Sequence, residues 1–138
     1  MTLNQSSLDA DTFWEFWDSQ PALIVSQEAM LPLGVVTNCV LASLVDVYLT
    51  LKGTGTLQKD KSFALPHSVL CKALRISEYQ LRQSKKKLKA LGVLTITREG
   101  IPGREYYHLN PQRLHDYDYD IDIMEKIRQE RIDKWGHV

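Results

Sequence analysis

PHSVLCKALRISEYQLRQSKKKLKALGVLTITREGIPGREYYHL, residues 66–109, changes its hydrophobic period once, at Gly92. Before that glycine the apolar residues stand three and four apart: Val69, Leu70, Ala73 and Leu74, then Leu81, Leu88 and Leu91. Such spacing marks one face of a helix. After it, apolar and β-branched residues alternate in VLTIT (93–97) and again in EYYHL (105–109), the period of a strand. Pro66 is suited to open the first helix, and Ser77 is a good N-cap for the second, so Arg75-Ile76-Ser77 is a sharp connection between two helices. Gly92 stops the second helix, 78–91, from the C′ position. The Gly-Ile-Pro-Gly tip then makes the two strands a hairpin with a loop from Arg98 to Arg104.

The pattern continues on both sides. Val40, Leu41, Leu44, Val45, Tyr48 and Leu49 describe an amphipathic helix over Thr37–Leu51, capped by Thr37 or Asn38 and ended by Gly53 and Gly55. KSFAL (61–65) reads as a short strand. Residues 22–36 combine a β-like run, Leu23–Val25, with an interruption at Pro32 and Gly34. DTFWEFWDS (11–19) reads as a short helix capped by Asp9 or Asp11 and ended by Pro21. Its Phe13, Trp14, Phe16 and Trp17 are too apolar for water, and cover either the protein's own core or a dimer or partner interface. On the C-terminal side Asn110-Pro111 closes the hairpin. The aspartates of DYDYDIDI (116–123) suggest a solvated connector, followed by a helix over Ile123–Trp135. That helix carries an imperfect stripe of Ile123, Met124, Ile127, Ile132 and Trp135, fit to pack back on the core or to pair with a second copy.

The expected fold class is therefore mainly α with a small antiparallel β-sheet (α+β). It divides into an N-terminal aromatic helix and connector (1–36), a central unit (37–110), and an acidic connector with a C-terminal helix (111–138). A length of 138 residues, 43% of them hydrophobic and 25% charged, suits one folded core and excludes a disordered or fibrous chain.

No signal-peptide layout opens the sequence and no apolar run of membrane-spanning length stands out, so a cytoplasmic protein without a membrane partner is expected. Cys39 and Cys71 stand singly in apolar stretches, as reduced core residues do. Catalytic chemistry has little to work with. His67, His108, His115 and His137 are scattered without an HExxH pair, and GTGT (53–56) lacks the GK[ST] of a phosphate-binding loop. The Asp-Tyr run lacks the glycine and closing glutamate of a calcium loop. No catalytic residue, metal or cofactor is expected.

The formal net charge is zero, but it is not evenly spread. Lys61 to Arg104 contains ten basic residues against two acidic ones, while the flanks are acidic. A basic middle between acidic ends suits a polyanionic partner, although charge runs are more often only solvated faces.

In order, the central segment is helix, short strand, helix, tight turn, helix, strand, loop, strand. With Leu74, Ile76 and Ser77 at the bend and KALGVLTI (89–96) running from helix into strand, it resembles the winged helix-turn-helix family of plasmid, phage and bacterial replication and transcription-control proteins. The resemblance covers about half the chain. It implies a winged helix-turn-helix with extra N- and C-terminal helices that binds double-stranded DNA as a homodimer. Lys85 departs from the pattern, standing where an apolar residue is common, and Ser84 is small for that face.

An α-helix fits the major groove of B-DNA, where side chains from its N-terminal half meet base edges. With Leu81, Leu88 and Leu91 inward, Tyr79, Gln80, Arg82, Gln83, Lys86 and Lys87 face outward. Gln80 and Gln83 suit adenine N6/N7 and Arg82 suits guanine O6/N7, while the lysines suit phosphates. Lys72 and Ser77 complete the helix-side set. Arg98 and Arg104, at the two bases of the hairpin loop, are placed to straddle a backbone or enter a minor groove. The bland alternative for Lys85-Lys86-Lys87 is a solvated helix face. The alternative for the whole is a winged-helix module that docks on a protein, through Phe13, Trp14, Phe16 and Trp17, in a replication or secretion complex.

Overall fold

The computed structural model describes residues 23–100 and 104–135. Within them the chain forms α1 (Met30–Leu33), α2 (Val35–Thr54), β1 (Phe63–Ala64), α3 (His67–Leu74), α4 (Glu78–Ala90), β2 (Leu94–Glu99), β3 (Arg104–Leu109), α5 (Pro111–Asp116) and α6 (Ile121–Trp135). It is an α+β fold, helical for the most part, with one three-stranded antiparallel sheet. The expected aromatic helix, the tip of the hairpin and the side chains of Ile132 and Trp135 lie outside what is described.

α2 is the axis of the core. Thirteen of its twenty residues are buried, among them Val40, Leu41, Leu44, Val45, Val47 and Leu51. Each fully buried aliphatic side chain of this kind contributes about 1.5–3 kcal/mol of transfer free energy. The helix starts at Gly34, whose φ of 80° and ψ of 161° only glycine adopts without strain, and not at a Thr37 or Asn38 cap. Both of those polar residues are buried inside the helix instead. Thr37 Oγ1 donates to Ser84 Oγ at 3.2 Å, and Asn38 Nδ2 donates to the Ser26 carbonyl at 2.8 Å. α2 is also long and apolar enough to cross a membrane, which the residue-by-residue reading overlooked, but 72% of its most apolar window is buried by the rest of this protein.

The strands are aligned by their side chains. β3 lies between β1 and β2, with Phe63 opposite Tyr107 and Ile96 opposite Tyr107 on its other side. Phe63 and Tyr107 are fully buried and their ring centroids are 5.9 Å apart. β1 is shorter than KSFAL suggested, because Lys61 takes a positive φ in the turn before it and Ser62 binds Asp60. Leu23–Val25 forms no strand.

The Asp-Tyr run is the largest departure from the sequence reading. Asn110 is the N-cap of α5, with Pro111 as its first residue, and the chain then turns so that Tyr119 is 1% exposed. The Tyr119 hydroxyl accepts from Ser26 N–H at 3.2 Å and donates to Asn38 Oδ1. Burial, the larger effect, and nearby acidic groups push this phenol up to about 12. The aspartates stay outside while the tyrosine anchors the run. α6 buries Met124 in the core and is tied to α2 by two ion pairs, Arg128–Asp46 at 2.7 Å and Lys52–Glu125 at 2.9 Å. One hydrophobic core thus runs from Ala29 and Leu33 through α2 and the sheet to Leu114, Tyr119 and Met124.

Candidate functional site

The junction of α3 and α4 is built by backbone chemistry. Val69 and Leu70 bury α3, which closes at Arg75 in the left-handed region (φ 55°, ψ 46°), its N–H bonded to the Cys71 carbonyl. Two residues on, Ser77 is extended, its Oγ accepts from Gln80 N–H at 3.1 Å, and Gln80 Oε1 accepts from Ser77 N–H at 2.9 Å. This reciprocal capping box satisfies two donors that a helix start leaves unpaired and fixes where α4 begins. Leu81, Ser84, Lys85 and Leu88 then form its buried face. Ser84 is small because α2 passes close by and Thr37 bonds to it.

On the opposite face Tyr79, Arg82, Gln83 and Lys86 are exposed at spacings of three and four, Tyr79 by 70%. Arg82 Nη2 lies 3.3 Å from Glu78 Oε2 one turn earlier, with both side chains in solvent. Lys72 on α3 and Arg75 at its end are exposed as well.

The Lys85-Lys86-Lys87 run does three different things. Lys85 is only 6% exposed. Its Nζ donates to Glu105 Oε2 at 2.8 Å, contacts His67 Nε2, and stands 5.1 Å from the centre of the Tyr107 ring. Lys86 faces solvent, and Lys87 Nζ donates to the Leu33 carbonyl at 3.0 Å, tying α4 to the end of α1.

Glu105 gathers the hairpin around this ammonium. Its Oε1 accepts from Arg98 Nη2 at 3.3 Å, and Tyr107 Oη donates to its Oε2 at 3.3 Å. Burial alone raises the Glu105 carboxyl, but the Lys85 hydrogen bond and charge, with His67, outweigh it and hold the group at about 2. Burial first, and then the Glu105 charge, push the Tyr107 phenol well above its ordinary range. A lysine at an apolar position is tolerated here because a strand supplies its counter-charge.

Four of the ten sequence-predicted site residues, Tyr79, Arg82, Gln83 and Lys86, share one exposed face. Ser77 and Gln80 are on the surface, but their side chains are engaged with each other's backbone in the cap. Lys87 reaches back to α1, and Lys72 is exposed on α3. Arg98 and Arg104 sit on adjacent strands of the hairpin, opposite Glu105 and Glu99 respectively. His67, Lys85 and Glu105 were not singled out as a group. The available signal was a lysine within the Leu81–Leu88 spacing, which had to find a carboxylate.

Among the described residues no group of three or more His, Cys, Asp or Glu is arranged to hold a metal ion, and Cys39 and Cys71 are both free. No protein-family model, curated protein sequence or solved structure matches the chain.

Proposed function

We propose that the chain is a winged helix-turn-helix protein that binds double-stranded DNA, with α4 in the major groove and the β2–β3 hairpin as the wing against the backbone or minor groove. One observation carries the reading: the elements follow the order helix, strand, helix, turn, helix, hairpin, the sheet order is β1-β3-β2, and the helix after the turn turns Tyr79, Arg82, Gln83 and Lys86 outward. A helix with its side chains is about 10–12 Å across and the major groove about 12 Å wide. An exposed polar face at the N-terminal half of a docked helix is what base reading requires.

The four outward residues then have distinct roles. Gln83 is chemically matched to adenine N6/N7, and Arg82 to guanine O6/N7 once it leaves Glu78. Tyr79 offers an apolar ring edge to a thymine methyl, and Lys86 a point charge to phosphate. One helix reads only a few base pairs, so a homodimer on a two-fold site completes the proposal. A role in transcription control or in plasmid or phage replication or transfer, within the cytoplasm, fits such a binder.

The test is fluorescence anisotropy of labelled duplex DNA of random sequence at two salt concentrations, with wild type and Arg82→Ala/Lys86→Ala. A binder with several phosphate contacts loses about 10³-fold or more in affinity between low and high salt. Loss of that salt-sensitive binding in the double variant is the expected result. Absence of binding by wild type at low salt refutes the proposal.

A second reading, docking on a protein, is favoured by Leu31 on α1 and Val35 at the start of α2, which are 95% and 65% exposed. Binding through such a surface responds weakly to salt and survives the Arg82/Lys86 substitutions.

A further inference from the structure

We propose that the cleft between the end of α2, the turn before β1, α5 and the start of α6 binds a small zwitterion, a free α-amino acid, held between Lys61 and Asp122. The site is separate from the outward face of α4 and does not depend on the DNA-binding reading.

The cleft has a volume of about 270 Å³ and a mostly polar wall. That is just under the roughly 300–1,000 Å³ of pockets for drug-sized ligands, which leaves room for a small metabolite. Its polar lining is Tyr48, Lys52, Lys61, His115, Asp120 and Asp122.

Half of these groups are already engaged within the protein. Lys52 Nζ donates to Glu125 Oε2 at 2.9 Å. Asp120 Oδ1 accepts from the Ile123 N–H at 3.0 Å at the start of α6, and Asp120 Oδ2 lies 3.6 Å from His115 Nδ1. Lys61, Asp122 and Tyr48 remain. The Lys61 N–H closes its turn on the Gln58 carbonyl, but this is backbone. Among the described residues no hydrogen bond or ion pair holds the Lys61 ammonium or the Asp122 carboxylate, and the two are not paired with each other.

Tyr48 is the independent sign of a ligand. It is only 9% exposed, and its ring rests beside Phe63 with centroids 6.5 Å apart. Its hydroxyl nevertheless has no hydrogen-bond partner among the described residues, whereas the buried Tyr107 and Tyr119 both use theirs. Buried polar groups are nearly always satisfied, so this one is met by what enters the cleft that Tyr48 lines. The Lys52 ammonium is held above its ordinary range first by the Glu125 bond and, more weakly, by Tyr48 and Asp122, so both groups lie near it.

One cation, one anion and one neutral hydroxyl define the ligand chemistry. A carboxylate is matched by Lys61 and the Tyr48 hydroxyl, and an ammonium by Asp122. A simple anion meets the Asp122 charge and a simple cation meets Lys61, so either alone is opposed where a zwitterion is matched. Pro111 and Ile121 complete the wall and suit a small aliphatic side chain.

The alternative is a hollow of solvated charges with no ligand. NMR titration of the full chain at fixed ionic strength separates the two, using glycine, L-alanine and L-valine and their N-acetyl and amide forms, which each lack one charge. At least one of the three amino acids is expected to shift the Lys61 and Ile121 amide signals saturably, with its blocked forms about tenfold weaker or worse. Lys61→Met and Asp122→Asn should each weaken binding about tenfold, and Tyr48→Phe about threefold. Lys61→Met and Tyr48→Phe should melt with the wild type in the absence of ligand, because neither polar group has an internal partner to lose. No saturable shift with any of the three amino acids overturns the inference. So does equal binding of a blocked form, or a lowered melting temperature in Tyr48→Phe, which would mean that the protein already uses the hydroxyl.

Discussion

Lys85 Nζ on α4 and Glu105 Oε2 on β3 lie 2.8 Å apart, with side chains 7% and 21% exposed. The pair joins the helix after the turn to the strand that leaves the hairpin, and Arg98 and His67 add a contact each from β2 and α3. Four elements thus converge on one carboxylate. Helix and hairpin are thus joined by charge as well as by the apolar core that both enter.

Removing one partner should cost more than removing both. Glu105→Ala leaves the Lys85 ammonium buried without a counter-charge, and should lower stability by about 2–4 kcal/mol. Lys85→Met keeps the aliphatic stem over Tyr107 and leaves Glu105 to Arg98 and His67, a loss of about 1–2 kcal/mol. The double variant Lys85→Met/Glu105→Leu should return to within about 1 kcal/mol of wild type. Urea unfolding of the three variants closes the cycle, and strictly additive losses would mean the pair is not coupled.

The same carboxylate predicts an acid limb. Glu105 is held at about 2, against 4.5 for an unperturbed glutamate. A group depressed in the folded state stabilises above its unfolded value, and that stability disappears as pH falls through the window from about 4.5 to about 2. In full the shift corresponds to about 3 kcal/mol, and to about 2 kcal/mol after the screening of a partly solvated group. Glu105→Gln should be less stable than wild type at neutral pH, and the difference should shrink steadily below pH 4.5. A difference independent of pH would show that the lysine pairing does not govern this carboxyl.

Tyr119 tests the anchoring of the acidic run. Its hydroxyl serves Asn38 Oδ1 and the Ser26 N–H, so Tyr119→Phe leaves both without their partner in a buried place. The expected cost is about 1–3 kcal/mol, read by thermal or urea unfolding. A solvated connector, as the aspartates suggested, would give a change within about 0.5 kcal/mol.

That contrast separates what local sequence can tell from what it cannot. The two periods on either side of Gly92, the Ser77 cap and the hairpin are short-range features, and each was readable because its cause lies within a few residues. Thr37 and Asn38 looked like caps because threonine and asparagine usually are. They are interior residues because Ser84 and Ser26, 47 and 12 positions away, give them partners. Tyr119 was hidden among aspartates for the same reason, its partners being 81 and 93 residues distant. In the candidate site the outward face of α4 followed from helical spacing alone. The engagement of Gln80 in the cap and of Lys85 with the sheet did not, because spacing gives the direction of a side chain but not what it meets.

Gln80 and Gln83 differ in a way that sequence spacing does not reveal, and DNA selection experiments can show it. Gln80 Oε1 accepts from Ser77 N–H, so its amide is committed to the helix start, whereas Gln83 is exposed one turn further on. Gln80→Ala should lower stability by about 0.5–1 kcal/mol through the lost half of the capping box, and Gln80→Glu, which can make the same box, should restore it. If base reading falls to Gln83, sites selected from a random library should keep their preference in Gln80→Ala, while Gln83→Ala should lose discrimination at one position by about 1–3 kcal/mol. The opposite pattern, with preference lost on changing Gln80 and kept on changing Gln83, would mean that the cap opens on binding and that Gln80 exchanges the Ser77 amide for an adenine.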